Sequence, residues 1–257
     1  MPWACFFWHT KLMLKWDNIS KPSKTVSIIP AAGFGYRMGS DRPKQFLSLD
    51  GKPILAMTLM PFQRCREVDE IIVVVPTEDV IFCREEIVDK YGLHKVTKVV
   101  AGGRRRQDSV RLGLEAVEKS CERVLVHDGA RPLVEADLLK EVILKAQTHR
   151  AIITGLPAKE TVKEVDSQNR VLNTHERGRT WLIQTPQIFR YKDILLAHQR
   201  AHQEVWGEAT DDSMLVEKMG VEVTVMLGSE HNIKITTPYD LDLATFLLKR
   251  RKKEQST

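Results

Sequence analysis

The sequence predicts an α/β fold with a mostly parallel sheet that is covered by helices on both faces. From Lys24 onward, short β-branched apolar runs alternate with segments of helical periodicity. Runs such as Glu70–Pro76 are apolar throughout, which is typical of strands buried on both faces. No low-complexity linker divides the 257 residues, of which 42% are hydrophobic. One large domain is therefore the simplest interpretation.

The elements follow one another in a regular order. The first half predicts strands and helices in alternation: a strand at Thr25–Ala31, a helix at Ile54–Cys65, strand Glu70–Pro76, helix Val80–Gly92, strand Lys95–Gly103, a helix from Asp108 to Ser120 capped by Asp108 or Ser109, strand Arg123–Val126 and helix Glu135–His149. The region from Ile153 to Phe189 has period-two stretches and turn signals, and predicts an antiparallel arm at about 155–182. The chain then returns through helices Tyr191–Trp206 and Asp211–Met219, strand Val221–Gly228 and a last helix near Asp240–Arg250.

The two ends differ in character from this pattern. Residues 1–24 hold three of the five tryptophans and lack the features of a secretory signal, so they are interpreted as an extension of unknown role. Residues 251–257 are predicted to form a basic, solvated tail, with nucleic-acid contact as a weak alternative. No apolar stretch approaches the roughly 20 residues that span a bilayer. The four cysteines do not have the spacing of metal ligands. The cysteine pattern, the lack of a secretory signal and the lack of a membrane span together predict a cytoplasmic protein without membrane or nucleic-acid partners.

A glycine loop follows the first strand and poses the question of what it binds. Gly33, Gly35 and Gly39 are spaced one residue too far apart for the dinucleotide fingerprint, and the second strand lacks the expected acidic end. A P-loop is excluded because no Lys-Ser or Lys-Thr follows the last glycine. A plain tight turn remains one alternative. The other is a phosphate cradle in which backbone amides surround the anion and Arg37 and Lys44 contact it from the side.

Five motifs in order resemble one enzyme family. They are "PAAGFGYRM…PKQF", "HDGARP", "TPQIF", "TDD" and "NIKITTP", and the likeness spans roughly residues 26–249. The chain resembles the 2-C-methyl-D-erythritol 4-phosphate cytidylyltransferases of the non-mevalonate isoprenoid pathway. The related ribitol 5-phosphate cytidylyltransferases share most of these motifs and stay open as the alternative. The resemblance implies a Rossmann-like, GT-A-like nucleotidyltransferase fold, a three-layer sandwich with a protruding β-arm for dimerisation, for a cytidylyltransferase domain at 25–250.

The implied reaction transfers CMP from CTP to a sugar-alcohol phosphate, with release of pyrophosphate and a requirement for Mg²⁺. Because the acceptor phosphate is already anionic, no strong general base is demanded. The resemblance implies catalytic roles for Arg37, Lys44, Arg177 and Lys234. It implies CTP-binding roles for Ala31, Ala32, Gly33, Gly35, Gly102, Gly103, Arg106, Ser109 and Asp128, with Asp128 as a candidate Mg²⁺ ligand. It implies acceptor-binding roles for Arg131, Thr161, Thr185 and Thr210.

The predicted arm carries a further implication. In the family that the sequence resembles, this arm crosses to a second subunit, so a homodimer with composite active sites is expected. Arg177 is expected to meet the acceptor phosphate there, with Arg179 as the competing assignment. An α/β module that only binds nucleotides is the remaining non-enzymatic alternative, and the complete set of cations and Asp128 argues against it.

Overall fold

The computed structural model describes residues 24–33 and 43–254, and these residues form a seven-stranded sheet at the centre of the molecule. The strands of the protein are β1 (Thr25–Pro30), β2 (Ser48–Leu49), β3 (Lys52–Pro53), β4 (Glu70–Val75), β5 (Val96–Ala101), β6 (Arg123–Val126), β7 (Ala151–Pro157), β8 (Lys163–Val165), β9 (Val171–Thr174), β10 (Trp181–Arg190) and β11 (Val223–Leu227). The order across the central sheet is β11-β7-β10-β6-β1-β4-β5. Within that sheet β10 runs antiparallel to both neighbours, and the other pairings are parallel.

Helices cover both faces of this sheet. They are α1 (Ile54–Arg64), α2 (Val80–Phe82, continued by a π-helical segment at Cys83–Asp89), α3 (Arg106–Glu115), α4 (Ala136–Lys145), α5 (Tyr191–Gln203), α6 (Asp212–Lys218) and α7 (Pro238–Glu254). Ile29 of β1 faces the core under α1, α2 and α4, whereas its neighbour Ile28 faces the core under α3, α5 and α6. Both faces of one strand are buried because neighbouring side chains point to opposite sides. The predicted three-layer α/β sandwich is confirmed.

Several predicted boundaries move by a turn or less. Helix α3 begins at Arg106, one residue after Arg105, so neither Asp108 nor Ser109 is its N-cap as predicted. The Asp108 carboxylate instead accepts from the backbone amide of Arg105, at 3.3 Å, and from its guanidinium, and so it stabilises the first turn from inside the helix. Residues 251–254 form the end of α7, where Arg251 pairs with Glu135 at 2.6 Å and so ties this basic segment to the domain.

The arm is the part of the chain between β7 and β10. Strands β8 and β9 pair as an antiparallel hairpin, separate from the central sheet. At its turn the Asp166 carboxylate accepts from the backbone amides of Gln168 and Arg170, both at 2.9 Å, and Asn169 adopts a left-handed φ of 61°. The predicted range 155–182 therefore includes the end of β7 and the start of β10, which belong to the central sheet.

The last third of the chain returns to the carboxyl edge of the sheet. Residues 228–237 connect β11 to α7, and Ile235 in this connection is fully buried against Leu133 and α7. Its amide donates to the carbonyl of Ala130, at 2.8 Å, in the loop that follows β6. Parallel strands β1, β4, β5 and β6 all end at this edge, which is where ligands bind in open α/β sheets.

Candidate active site

A cleft of about 600 Å³, counting its open mouth, lies where β1, β5 and β6 end. Its lining comes from the loops after these three strands together with Lys44 and Gln45 from one more distant segment and Lys234 from another. The lining residues are Pro30, Ala31, Ala32, Gly33, Lys44, Gln45, Gly103, Arg104, Arg105, Arg106, Ser109, Asp128, Gly129, Ala130 and Lys234. The fold therefore brings together segments that are up to about two hundred residues apart in sequence.

Asp128 is the buried centre of the cleft's charged groups. Its Oδ1 accepts from Nε of Arg106 at 2.9 Å, and its Oδ2 lies 2.8 Å from Nζ of Lys234. Nε of Arg131 lies 3.7 Å from the same Oδ2. Burial alone would raise the pKa of Asp128, but the nearby charges of Arg106, Lys234 and Arg131 outweigh it and hold the pKa far below its usual range. The carboxylate is therefore ionised at any physiological pH.

The backbone and side chains behind Asp128 fix its position. The hydroxyl of Thr185 accepts from the Asp128 amide at 3.0 Å and lies 3.2 Å from Nδ1 of His127. Arg131 donates from NH1 to the carbonyl of Asn232 at 2.7 Å. Burial lowers the pKa of His127 to about 4, so its ring is neutral near pH 7. These groups form a support beneath Asp128 that has little exposure to solvent.

The two lysines of the cleft are held through the connection between β11 and α7. Nζ of Lys44 donates to the carbonyl of Ile235 at 3.0 Å, one residue after Lys234. The carboxylate of Asp240, in the first turn of α7, accepts from the amides of Thr236 and Thr237, both at 2.8 Å. This carboxylate and the buried Ile235 fix the segment, so both ammonium groups are presented to the cleft from a rigid base.

Glycines permit the close approach of the loops that form the cleft floor. A Cβ at Gly102 would lie 2.4 Å from Cβ of Ala32 and 2.9 Å from Oγ of Ser109, and a Cβ at Gly129 would lie 2.7 Å from Cβ of Ala31. The amide of Gly103 donates to Oγ of Ser109 at 3.1 Å. The loop after β5 is thus packed against the loop after β1 with no room for another side chain.

The amides of this floor are partly used by the protein itself. The amide of Ala31 donates to the carbonyl of Val74 at 2.7 Å, and that of Gly102 donates to the carbonyl of Val75 at 2.8 Å. Both residues therefore extend the pairing of the parallel strands. Their contribution to the cleft is shape, whereas Ala32 and Gly33 lie beyond the ladder and line the opening.

The residues that the structure describes do not form a metal site of their own. Within residues 24–33 and 43–254, no group of three or more His, Cys, Asp or Glu side chains is arranged to hold a metal ion. Both oxygens of Asp128 already contact cationic side chains. Mg²⁺ prefers oxygen ligands and usually keeps several waters and phosphate oxygens. Asp128 alone therefore offers such an ion one carboxylate, which already contacts Arg106 and Lys234.

The structure brings most of the predicted site residues together. Ala31, Ala32, Gly33, Lys44, Gly103, Arg106, Ser109, Asp128 and Lys234 line the cleft, Gly102 packs against its floor, and Arg131 and Thr185 lie directly behind Asp128. Thr161, Arg177 and Thr210 are exposed and do not line it. Arg37 and Gly35 lie outside the described residues.

The structure also adds residues that the sequence analysis did not single out. Arg104, Arg105, Gln45, Gly129 and Ala130 line the cleft. Asp212 and His198 are buried behind Arg106, and Asp212 could have been noticed because it belongs to the "TDD" motif. His198 carries no sequence signal, since a histidine in an amphipathic helix is ordinary.

The chain is similar to known proteins over most of its length. The family model for 2-C-methyl-D-erythritol 4-phosphate cytidylyltransferase (IspD) matches residues 25–250. A curated protein of that name from Syntrophus aciditrophicus (strain SB) is 47% identical over 227 residues, which cover 88% of this chain and 97% of the relative. One from Alkaliphilus metalliredigens (strain QYMF) is 44% identical over 230 residues, covering 90% and 95%.

Solved structures are similar over the same range. The 4-diphosphocytidyl-2C-methyl-D-erythritol synthase from Anaerococcus prevotii DSM 20548 superposes with a TM-score of 0.77 at 33% identity, covering 89% of this chain and 100% of that one. The 2-C-methyl-D-erythritol 4-phosphate cytidylyltransferase from Francisella tularensis gives 0.74 at 34% identity, covering 87% and 99%. The sheet and its flanking helices therefore have the nucleotidyltransferase fold that the resemblance implied.

Proposed function

The chain belongs to the 2-C-methyl-D-erythritol 4-phosphate cytidylyltransferase family, and we propose how its cleft carries out that reaction. It transfers CMP from CTP to 2-C-methyl-D-erythritol 4-phosphate, giving 4-diphosphocytidyl-2-C-methyl-D-erythritol and pyrophosphate in isoprenoid precursor synthesis. The observation that carries the assignment to this cleft is the group of fixed cations around Asp128, opposite the closely packed glycine loops.

The chemistry needs positive charge more than it needs a base. The acceptor phosphate is anionic and attacks the α-phosphorus directly, while negative charge grows on the equatorial oxygens and on the departing pyrophosphate. Cations that are already fixed lower this barrier because they need no reorganisation during the reaction. Lys44 and Lys234 are anchored in this way, by the carbonyl of Ile235 and by Asp128. We assign Lys44 to the triphosphate and Lys234 to the acceptor side.

Arg37 is proposed as the partner of Lys44 in stabilising the transition state. It falls in the glycine loop between Gly33 and Lys44, whose two ends both line the cleft. A planar guanidinium complements a phosphoryl group with paired hydrogen bonds, whereas an ammonium acts as a compact charge. Gly35 belongs to the same loop and is proposed to let its backbone approach the phosphates.

The loop after β5 is proposed to hold the cytosine base. Gly102 packs against Ala32 and Gly103 packs against Asp108, while the amide of Gly103 donates to Oγ of Ser109, so the backbone of this loop is fixed beside the cleft. A small pyrimidine ring could be recognised there by backbone groups of Gly102 and Gly103 and by the hydroxyl of Ser109. Asp128 and Arg106 then lie between the base and the phosphates, close to the ribose.

The acceptor site is proposed to be completed by Arg131, Thr185 and the arm of a second subunit. Arg131 and Thr185 act chiefly by supporting Asp128, as their hydrogen bonds indicate. Thr161 and Arg177 lie on the arm and Thr210 lies before α6, all three exposed. Arg177 would add the charge that lets a phosphate approach a triphosphate.

We propose a homodimer joined through the arm. The support is a set of apolar side chains that lie exposed on the arm and at its base: Val165, Val171, Leu172, Leu182 and Ile183. Exposed apolar groups concentrated on one projection are typical of a surface that is covered in an assembly. In such a dimer the arm of each subunit would carry its Arg177 toward the cleft of the other subunit.

We propose that Mg²⁺ enters with CTP. The triphosphate supplies the oxygen ligands that the protein lacks, and the described residues contribute at most the carboxylate of Asp128.

No helix in the described part of the chain is long and apolar enough to cross a membrane. We place the enzyme in the cytoplasm because Cys65, Cys83 and Cys121 are free and buried, as is usual in reducing compartments.

The assignment is tested by pyrophosphate release. The protein is given CTP and Mg²⁺ with 2-C-methyl-D-erythritol 4-phosphate, and in parallel with ribitol 5-phosphate. Release with the first acceptor and not the second is the expected result. Release with ribitol 5-phosphate alone would contradict the assignment. Lys234→Ala serves as the matched variant, since it removes one ammonium group from the cleft and leaves the fold-forming residues in place.

A further inference from the structure

Arg106 connects the cleft to a second buried carboxylate outside it. Its Nε donates to Asp128 at 2.9 Å, and its NH1 lies 2.8 Å from Oδ2 of Asp212. Asp212 is the first residue of α6 and does not line the cleft. Its side chain is 1% exposed, so it does not reach substrate or bulk water. One guanidinium thus spans two carboxylates, one at the reaction site and one behind it.

His198 lies behind Asp212 and completes a series of three contacts, which run from His198 to Asp212, from Asp212 to Arg106 and from Arg106 to Asp128. Its Nε2 lies 3.1 Å from Oδ1 of Asp212, which leaves Oδ2 of the same carboxylate for Arg106. The ring is fully buried, and its Nδ1 has no hydrogen-bond partner among the described residues. A ring with its hydrogen on Nε2 suits this geometry, because it donates to Asp212 and leaves no buried N–H without an acceptor.

The surroundings of Asp212 hold it in place independently of Arg106. Asp211 caps α6 by accepting from the amide of Met214 at 3.0 Å, and Nε2 of Gln187 in β10 donates to the same carboxylate at 2.9 Å. The start of α6 is therefore tied to the central sheet. Burial alone would raise the pKa of Asp212, but Arg106 and His198 outweigh it and keep the pKa below its usual range.

This series of contacts determines the orientation of the Asp128 carboxylate. Asp128 has to share two oxygens among Arg106, Lys234 and Arg131, and the division seen gives Oδ1 to Arg106 and Oδ2 to Lys234. A guanidinium bound only to Asp128 would be free to shift toward Oδ2 and compete with Lys234. Its second anchor on Asp212 prevents that shift, because the fork of the guanidinium is rigid.

We infer that His198 and Asp212 are positioning residues for the reaction, which act through Arg106 to hold Asp128 and Lys234 in their catalytic arrangement. The inference rests on the proposed function, since it extends the roles assigned to Asp128 and Lys234. Neither residue touches substrate. A purely structural role would show in stability alone, whereas a positioning role shows in turnover and in the environment of Arg106.

The first test compares His198→Leu with His198→Gln. The leucine removes the donor to Asp212, whereas the glutamine can place an amide N–H where Nε2 was. We expect His198→Leu to lower kcat about tenfold, the kinetic equivalent of one charge-assisted hydrogen bond, with the Kd for CTP within about twofold. His198→Gln should recover most of kcat. His202→Leu, on the exposed side of the same helix, is the matched control and should behave like the wild type.

The second test observes Arg106 directly and does not depend on activity. The Nε–H resonance of Arg106 is assigned by its loss in Arg106→Lys. In His198→Leu it should shift and exchange faster with water, and in His198→Gln it should stay near the wild-type position. An unchanged resonance in His198→Leu overturns the inference, whatever the activity.

A double-mutant cycle separates positioning from general destabilisation. In the Arg106→Lys background, His198→Leu should have little further effect on kcat, because the residue through which it acts is already altered. Equal losses in both backgrounds would overturn the inference. If the wild type releases no pyrophosphate while the resonance responds as expected, the proposed function fails and the positioning of Arg106 by His198 stands.

Discussion

The packing of Gly102 against Ala32 offers a direct measure of how closely the loops of the cleft are fitted. A Cβ added in Gly102→Ala would lie 2.4 Å from Cβ of Ala32, whereas ordinary contacts begin near 3.4 Å. One of the two loops must therefore move by about 1 Å, which follows from 3.4 minus 2.4. Overpacking of this kind costs about 2 kcal/mol, and in a chain of this size that lowers Tm by roughly 4–8 °C.

Displacement of Ala32 also affects the nucleotide. Ala32 lines the cleft, so we expect the Kd for CTP to rise about tenfold, or about 1.4 kcal/mol, by isothermal titration calorimetry. Gly207→Ala is the control, because an added Cβ there meets nothing within 4 Å. Adding Ala32→Gly to Gly102→Ala removes the closest clash and leaves the 2.9 Å approach to Oγ of Ser109, so it should restore part of the lost Tm. Unchanged Tm and Kd in the single variant, or no recovery in the double one, would refute the reasoning.

Three further predictions address charge, assembly and pH. Lys44→Ala should lower kcat much more than it weakens CTP binding, because its charge acts mainly in the transition state; normal turnover with weaker binding would give it a ground-state role. Arg177→Ala should raise the KM for the sugar phosphate, and mixing it with Lys44→Ala subunits should restore some activity; failure to recover would argue that each site is built within one chain. His127 has a folded pKa near 4, below its usual 6.5, so the unfolded state binds the extra proton between these values and stability is lost as pH falls from about 6.5 to 4. Urea unfolding should show that slope, and His127→Gln should reduce it relative to the wild type, while an identical slope would exclude His127 as its source.

The fold was largely predictable because the strands are buried on both faces. A continuous apolar run such as that of β4 cannot be stable on a solvated surface, so its sequence alone indicates a covered parallel sheet. The start of α3 was less predictable. Both Asp108 and Ser109 are good cap residues, yet the helix begins earlier because the Asp108 side chain reaches back to the amide of Arg105. Boundary errors of this size arise wherever two local hydrogen-bonding patterns are nearly equal.

One short hairpin was missed although its signal was present. Strands β2 and β3 are joined by Asp50 and Gly51, both in the left-handed region with φ of 54° and 79°. An Asp-Gly pair between two strands is a strong hairpin signal. The flanking strands have only two residues each, too few for their periodicity to be recognised. The turn helps to lead the chain from Lys44 into α1.

The site was predictable where a residue follows a strand and carries its own chemistry. Asp128 comes two residues after β6, so its place at the sheet edge follows from topology. The pair of His198 and Asp212 could not be found in this way. They are 14 residues apart on different helices, and the contacts of His198 with Asp212 and of Asp212 with Arg106 depend on how α5 packs against both α3 and α6. Sequence patterns specify which face of a helix is buried, but not which polar groups meet there.

The cleft holds more cationic side chains than carboxylates, and this excess of positive charge suits it to bind a triphosphate. Among the described residues, the lining carries five cations, Lys44, Arg104, Arg105, Arg106 and Lys234, and one carboxylate, Asp128, which leaves four positive charges. A site with equal numbers of both would be more stable when empty, but it would offer nothing to a triphosphate. A site without Asp128 would leave its cations mutually repelling and mobile. One deeply buried carboxylate, itself anchored through Arg106, gathers the cations and leaves an excess for the substrate. The cost of fixing them is met during folding, so they are already in place when charge develops on the phosphates.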